Sequence, residues 1–182
     1  MSLTLRARKL ALVAHIAASV GWIGAVLSSL VLAAAPLISG DPTIMRGSYL
    51  SLQVIGWYAL VPFSIASLLT GLVQSLGTAW GLARHYWVLV KLLMNLFATA
   101  ILLLYTQTLD QLAATARDPH SAIEGNPSPI AHAAGAVALL TAALVLSVYK
   151  PRGMTRYGRR RTASGTAPSR LAAAGTAKGS MW

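Results

Sequence analysis

Four long apolar stretches constrain this chain more than any other feature. They cover residues 10–35, 49–73, 86–108 and 130–149. Each is long enough to cross the hydrocarbon of a bilayer, which takes roughly 20 apolar residues at about 1.5 Å of rise per residue. Because 55% of the 182 residues are hydrophobic and only 10% are charged, polar surface could hardly cover a water-soluble fold. The sequence predicts an all-α integral membrane four-helix bundle.

The charged residues are divided unequally among the connections. All four acidic residues lie in the first and third connections, where Arg46 and Arg117 are the only basic residues. Basic residues instead precede the first stretch, occupy the second connection at Arg84 and follow the fourth stretch. An excess of Lys and Arg beside membrane spans marks the cytoplasmic side. We therefore predict that both termini and the Arg84 connection are cytoplasmic.

The chain divides into two parts, a four-helix transmembrane domain at 1–150 and a basic tail at 151–182. The tail is rich in Arg, Ala, Gly, Ser and Thr, so we predict that it is disordered and cytoplasmic. Anchoring to anionic lipid explains its basic residues without a nucleic-acid partner, although the net charge is +11. The absence of cysteine excludes disulfides and thiolate chemistry.

His15 is an ionisable residue inside the first apolar stretch, and such residues usually mark a site. At about 100° per residue, one stripe of this helix is predicted to face a cavity or a cofactor. A separate seam of small residues is predicted to pack against a neighbouring helix. The same seam is a candidate interface for a homodimer. The stripe contains His15, Ser19, Trp22, Val26 and Ser29, and the seam contains Ala17, Gly21 and Ala25.

The third stretch has an unusually polar face for a membrane helix. Lys91 lies seven residues from Arg84 and His15 six from Lys9, so both lie roughly 9–11 Å inside the cytoplasmic boundary. Two alternatives remain open: Lys91 extends its stem to the interface, or His15 is a neutral imidazole bonded to another helix. The face contains Arg84, Trp87, Lys91, Asn95, Ala98, Leu102 and Tyr105.

The second and fourth stretches carry weaker signals. Pro62 is predicted to kink the second helix near Tyr58, beside a line of residues at helical spacing. Ser128 is predicted to be the N-cap of the fourth helix. His132 is predicted to lie at the outer interface in contact with water, and His120 is predicted to be exposed in a loop. The line on the second helix contains Trp57, Ser64, Ser67, Gly71 and Gln74.

A histidine among helices is a common axial ligand of haem iron, and an apolar slot between helices suits a porphyrin. We therefore predict that haem b is bound with His15 as its metal ligand. Arg84 and Lys91 are candidates to hold the propionates, and His85 is a candidate axial ligand. Trp22, Trp87 and Asn95 complete the predicted cofactor site. The sequence contains neither a two-histidine metal spacing nor a phosphate loop. It does not identify catalytic residues.

Two short patterns, His15-x6-Trp22-x-Gly24 and Trp87-x3-Lys91, resemble those of small bacterial membrane proteins. The similar proteins are CopD-type copper-resistance proteins and four-helix haem-containing protoporphyrinogen oxidases. The run at 80–91 also resembles a family of predicted integral membrane proteins of unknown function, and the likeness covers about 9–105. It implies a b-type haem on His15, with Lys91 at or beside the same site.

The resemblance implies a multi-pass protein of the bacterial cytoplasmic membrane that serves electron transfer or a porphyrin-linked oxidation, with lipid and a redox protein as partners. Residues 25–32 lack the basic and aromatic positions of the oxidases. The residues that could bind copper on the outer side, as in CopD-type proteins, are too scattered in the sequence to form a copper site. An alternative is a non-catalytic membrane subunit, or a transport accessory protein, that binds no cofactor. In that case the polar stripes only pair helices.

Overall fold

The computed structural model describes residues 4–77 and 86–149, and every regular element in these ranges is helical. The elements are α1 (Leu5–Ile38), α2 (Pro42–Ile55), a π-helical turn (Gly56–Leu60), α3 (Val61–Gly77), α4 (Tyr86–Arg117) and α5 (Ser128–Tyr149). Because α2, the π-helical turn and α3 are continuous, they form one candidate span, Pro42–Leu76.

The four spans contain 34, 35, 32 and 22 residues, and all are apolar enough to cross a membrane. Large apolar side chains such as Val31, Leu104 and Val148 lie on the outside of the bundle, where lipid rather than water suits them. The all-α four-helix bundle is thus confirmed, and the chain is a multi-pass membrane protein. The cytoplasmic position of both termini stays a prediction.

The helices form a closed antiparallel ring. On one side α1 packs against α2 and α3, and on the other against α5; α4 lies opposite and contacts the same partners. Two clusters of buried side chains fill the interior. One surrounds Trp22, Leu60 and Leu102, and the other surrounds Tyr49 and Leu109.

Several predicted helix ends are wrong. The first helix runs over Leu5–Ile38, the second begins at Pro42, and the third continues to Arg117. Hydropathy reports only the apolar part of a helix, whereas backbone hydrogen bonds continue into polar turns beyond it. α1 ends at Ile38 and α2 begins at Pro42, where Asp41 caps α2 by accepting a hydrogen bond from the Thr43 amide at 2.8 Å.

The prediction that Ser128 is the N-cap of the last helix is also wrong. Ser128 lies in the first turn of α5, and its amide donates to Oδ1 of Asn126 at 2.8 Å. Its hydroxyl instead lies 3.0 Å from the hydroxyl of Tyr105. The side chain therefore joins α5 to α4 rather than closing the end of its own helix.

The predicted disturbance near Tyr58 takes the form of the π-helical turn. The amide of Val61 donates to the carbonyl of Gly56, five residues earlier. Pro62 has no amide hydrogen, so it cannot bond the Tyr58 carbonyl in the usual pattern. A wider turn accommodates that missing bond, and π-helical turns are frequent at functional sites.

The loop between α4 and α5 is held to α2 by two side chains. The guanidinium of Arg46 donates to the carbonyls of Ala116, Asp118 and Ser121 at 3.0, 2.6 and 2.8 Å. The hydroxyl of Tyr49 donates to the Glu124 carbonyl at 2.8 Å. It also accepts a hydrogen bond from the Asn126 amide at 2.8 Å. These bonds satisfy backbone groups that have no partner within a helix.

Asp118 orders the first turn of this loop. Its carboxylate accepts hydrogen bonds from the Ser121 hydroxyl at 2.6 Å and from the His120 amide at 3.0 Å, and these bonds lower the pKa of Asp118. Because the folded pKa is lowered, the stabilisation is present at neutral pH and is lost as the pH falls through that value.

The seam of small residues is partly used inside the chain. A Cβ atom on Gly21 would lie 2.9 Å from the ring of Phe63, and Ala25 packs against the cluster around Trp22. Ala17 is exposed. Glycine at position 21 thus lets α1 approach α3 closely. A homodimer through this seam stays a prediction.

Candidate functional site

A group of polar side chains connects α1, α3 and α4, and we call it the His15 cluster: His15, Ser19, Ser67, Thr70 and Asn95. Ser67 is its centre and is only 2% exposed. Its hydroxyl lies 3.0 Å from that of Ser19 and accepts a hydrogen bond from Nδ2 of Asn95 at 3.2 Å. One side chain of α3 thereby joins three helices through hydrogen bonds within the apolar bundle.

The hydrogen bonds of His15 show which ring nitrogen carries a hydrogen. Nδ1 lies 3.2 Å from the Ser67 carbonyl oxygen and 3.1 Å from Oγ1 of Thr70. Because a carbonyl oxygen only accepts, Nδ1 carries the hydrogen. The Thr70 hydroxyl donates to the Ala66 carbonyl at 2.6 Å, so it offers Nδ1 a lone pair. In the neutral imidazole Nε2 is then the unprotonated nitrogen, and it has no hydrogen-bond partner within 4–77 and 86–149.

Glycine at position 71 lets the imidazole reach this carbonyl. A Cβ atom there would lie 3.1 Å from Cε1 of His15, which is closer than most side chains tolerate. The ring therefore rests against the backbone of α3. A larger residue at position 71 would push His15 away from Ser67.

Lys91 joins α4 to α5 by a hydrogen bond. Its ammonium group donates a hydrogen bond to the hydroxyl of Ser147 on α5, and the residue is partly buried. Its positive charge lies within electrostatic range of His15. The two residues predicted to lie at one depth are thus electrostatic neighbours.

The other predicted site residues are divided among three places. Asn95 belongs to the His15 cluster, whereas Trp22 is 3% exposed and lines a separate apolar cavity. Trp87 lies in the first turn of α4. Arg84 and His85 lie outside the described residues, as does the tail at 151–182.

The apolar cavity has a volume of about 340 Å³ and lies mainly between α1, α4 and α5, with Leu52 of α2 and Leu60 of the π-helical turn also lining it. The predicted stripe of α1 contributes Trp22, Val26 and Ser29 to its wall, and the polar face of α4 continues into it. We call it the Trp22 cavity. Further lining residues include Leu60, Phe97, Ile101, Leu102, Tyr105, His132, Gly135 and Ala136.

His132 is partly buried in the wall of the Trp22 cavity, and its position at the outer interface stays a prediction. Its ring stacks on Tyr105, with centroids 3.9 Å apart and planes inclined by 6°. Among the residues that the structure describes, no three His, Asp or Glu side chains come together as a metal site.

Sequence reasoning missed Thr70, Ser147 and Arg46 as functional contacts. Thr70 lies one turn from Ser67, so its position beside His15 depends on how α1 crosses α3. Ser147 stands near the end of an apolar helix without any pattern around it. The only available signal for Arg46 was that it is a basic residue in an otherwise acidic connection.

Replacing Ser67 by alanine is expected to lower the stability of the bundle by about 1 kcal/mol, since it removes hydrogen bonds to Ser19 and Asn95. The carbonyl that holds His15 remains. The control is Ser28→Ala, because the Ser28 hydroxyl bonds the Gly24 carbonyl of its own helix and no other group among residues 4–77 and 86–149. Thermal unfolding in detergent measures both variants, and equal midpoints would show that the interhelical bonds contribute nothing.

Comparisons with known proteins return no matching family model, no matching curated protein and no matching solved structure. The likeness to CopD-type proteins and haem-containing protoporphyrinogen oxidases stays a prediction. The contacts of His15 and the shape of the Trp22 cavity are therefore the basis for assigning a function.

Proposed function

We propose that this membrane protein binds haem b within its helix bundle, with Nε2 of His15 as an iron ligand. The proposed role is electron transfer or a porphyrin-linked oxidation. The hydrogen bond between Nδ1 of His15 and the Ser67 carbonyl carries the proposal. Ligating histidines commonly donate their other ring hydrogen to a carbonyl in this way, which fixes both the tautomer and the ring orientation.

The residues beside His15 have the chemistry that such a group requires. The free nitrogen supplies the ligand, and the ring is held by both Ser67 and Thr70. Lys91 places a cation in electrostatic range, which suits a carboxylate-bearing cofactor. A bound haem supplies one-electron chemistry, and the chain supplies a fixed ligand and an apolar surrounding that tunes it.

The alternative is a membrane subunit or a transport accessory protein without a cofactor. One observation favours it: the hydroxyl of Ser67 bonds Ser19 and Asn95, so these polar residues have partners on neighbouring helices. Such bonds hold membrane helices together without any ligand. The nitrogen Nε2 of His15 is the atom that this alternative does not use.

The test is the visible spectrum of the full-length protein, purified in detergent from haem-replete cells, before and after reduction. We expect a Soret band in the wild type and its loss in His15→Ala. His120→Ala is the matched control, because His120 is exposed in the loop, and it should keep the band. A colourless wild-type protein, or an equal band in His15→Ala, would refute the proposal.

A further inference from the structure

The Trp22 cavity opens sideways toward lipid. Phe97 and Ile101 of α4 line it while being 60% and 39% exposed, and Ala131 and Gly135 of α5 line it and are also exposed. The cavity wall therefore reaches the outer surface of the bundle between α4 and α5. A Cβ atom on Gly135 would meet no other atom within 4 Å, so this side of the opening is free.

The opening lies at the depth of the hydrocarbon. Phe97 is 11 residues into α4, about 16 Å from its start, and Gly135 is about 10 Å into α5. A molecule that enters between these residues comes from the bilayer rather than from water. The ligand is thus soluble in lipid.

One part of the cavity wall is polar and aromatic. His132 stacks on Tyr105, and neither ring nitrogen of His132 has a hydrogen-bond partner in the described ranges. One of these nitrogens carries a hydrogen in the neutral imidazole, so His132 can donate to an acceptor in the cavity. The Tyr105 hydroxyl pairs with Ser128 at 3.0 Å and marks the same region.

The remaining wall suits a flat ring. Trp22, Phe97 and Tyr105 offer aromatic surface, and Leu60, Leu102 and Ala136 complete an apolar lining. A volume of about 340 Å³ lies at the small end of ligand pockets, which run from roughly 300 to 1,000 Å³. It has room for one small ring system, with any long tail left in the lateral opening.

We propose that the Trp22 cavity binds the ring of a lipid-soluble quinone, whose carbonyl oxygen accepts a hydrogen bond from His132. An acyl chain would pack against the apolar wall but would offer no hydrogen-bond acceptor to His132. A quinone uses the lateral opening, the aromatic wall and the donor together. This binding does not rest on haem at His15.

The probe is decylubiquinone, added to detergent-solubilised protein whose tryptophans other than Trp22 are replaced by phenylalanine. Quinones quench indole fluorescence, so we expect saturable quenching of Trp22. Gly135→Leu places a side chain in the opening and should weaken binding at least about tenfold. Gly24→Leu is the matched control, because Gly24 is exposed, has no neighbour within 4 Å of its Cβ position and lines no part of the cavity.

His132→Phe keeps an aromatic ring but removes the donor, so it should also weaken decylubiquinone binding about tenfold. Unsaturable quenching, or the same quenching in Gly135→Leu as in Gly24→Leu, overturns the proposal. So does a spin-labelled fatty acid that quenches Trp22 and that decylubiquinone does not displace. If Gly135→Leu does not fold, Ala131→Leu blocks the same opening one turn earlier on α5.

Discussion

Arg46→Ala is expected to destabilise the protein by about 2 kcal/mol, one of the two largest effects among the stability variants. Its guanidinium bonds the Ala116, Asp118 and Ser121 carbonyls at the end of α4 and in the following loop. Hydrogen bonds from a charged donor contribute about 1.5–3 kcal/mol each when shielded, and partial exposure of Arg46 reduces their sum. Arg46→Lys keeps the charge but not the planar fork, so it should recover only part of the loss.

The matched control is Arg117→Ala. Arg117 is exposed and donates to the side chain of Gln53, without contacting the loop carbonyls. Thermal unfolding in one detergent, at one protein concentration, compares the variants. A midpoint for Arg46→Ala no lower than that for Arg117→Ala would show that the carbonyl bonds of Arg46 do not hold the loop.

Tyr49→Phe is the second large effect, with an expected loss of about 1–3 kcal/mol. Tyr49 is 2% exposed, and its hydroxyl is shared by the Glu124 carbonyl and the Asn126 amide. Removing one oxygen leaves two backbone groups without this partner, while the ring still fills its site. The cost is therefore that of unmade hydrogen bonds and not of a cavity.

Tyr58→Phe provides the control, because Tyr58 is 82% exposed. It should unfold at the temperature of the wild type. Hydrogen exchange gives a second readout, since the Asn126 amide should exchange faster in Tyr49→Phe. Unchanged exchange at that amide would contradict the role given to the hydroxyl.

The fold was accessible from sequence because the apolar stretches and helical faces are periodic. Trp22, Val26 and Ser29 were predicted to share a face, and all three line the Trp22 cavity. The ends of helices were less accessible. The last turns of α4, which ends at Arg117, and the first turns of α2, which begins at Pro42, are too polar for the membrane. They still form helical hydrogen bonds, which hydropathy does not record.

The candidate site was accessible only in part. His15, Ser67 and Asn95 were each placed on a polar face, but their mutual contacts depend on which helices are neighbours in the ring. Sequence periodicity gives the face of one helix, not its partner. The pairing of Lys91 with Ser147 and the stack of His132 on Tyr105 arise from helix crossings that no local pattern reports.

Two environments follow one another along α1. The His15 cluster joins α1, α3 and α4 through hydrogen bonds, and the Trp22 cavity begins two turns later on the same stripe. Under the two proposals, the first environment holds an iron ligand and the second holds a lipid-soluble ring. Each can fail without the other, because the proposed iron ligand His15 and the proposed quinone donor His132 lie in different environments.

Haem content per chain tests the central claim most directly. Full-length protein from haem-replete cells is purified in detergent, and haem is measured as its pyridine complex against protein concentration. The account predicts about one haem per chain in the wild type and in Ser67→Ala, which keeps the carbonyl bonded to His15, and less than about a tenth of that in His15→Ala. A wild-type protein without haem, or His15→Ala with as much haem as the wild type, would contradict it.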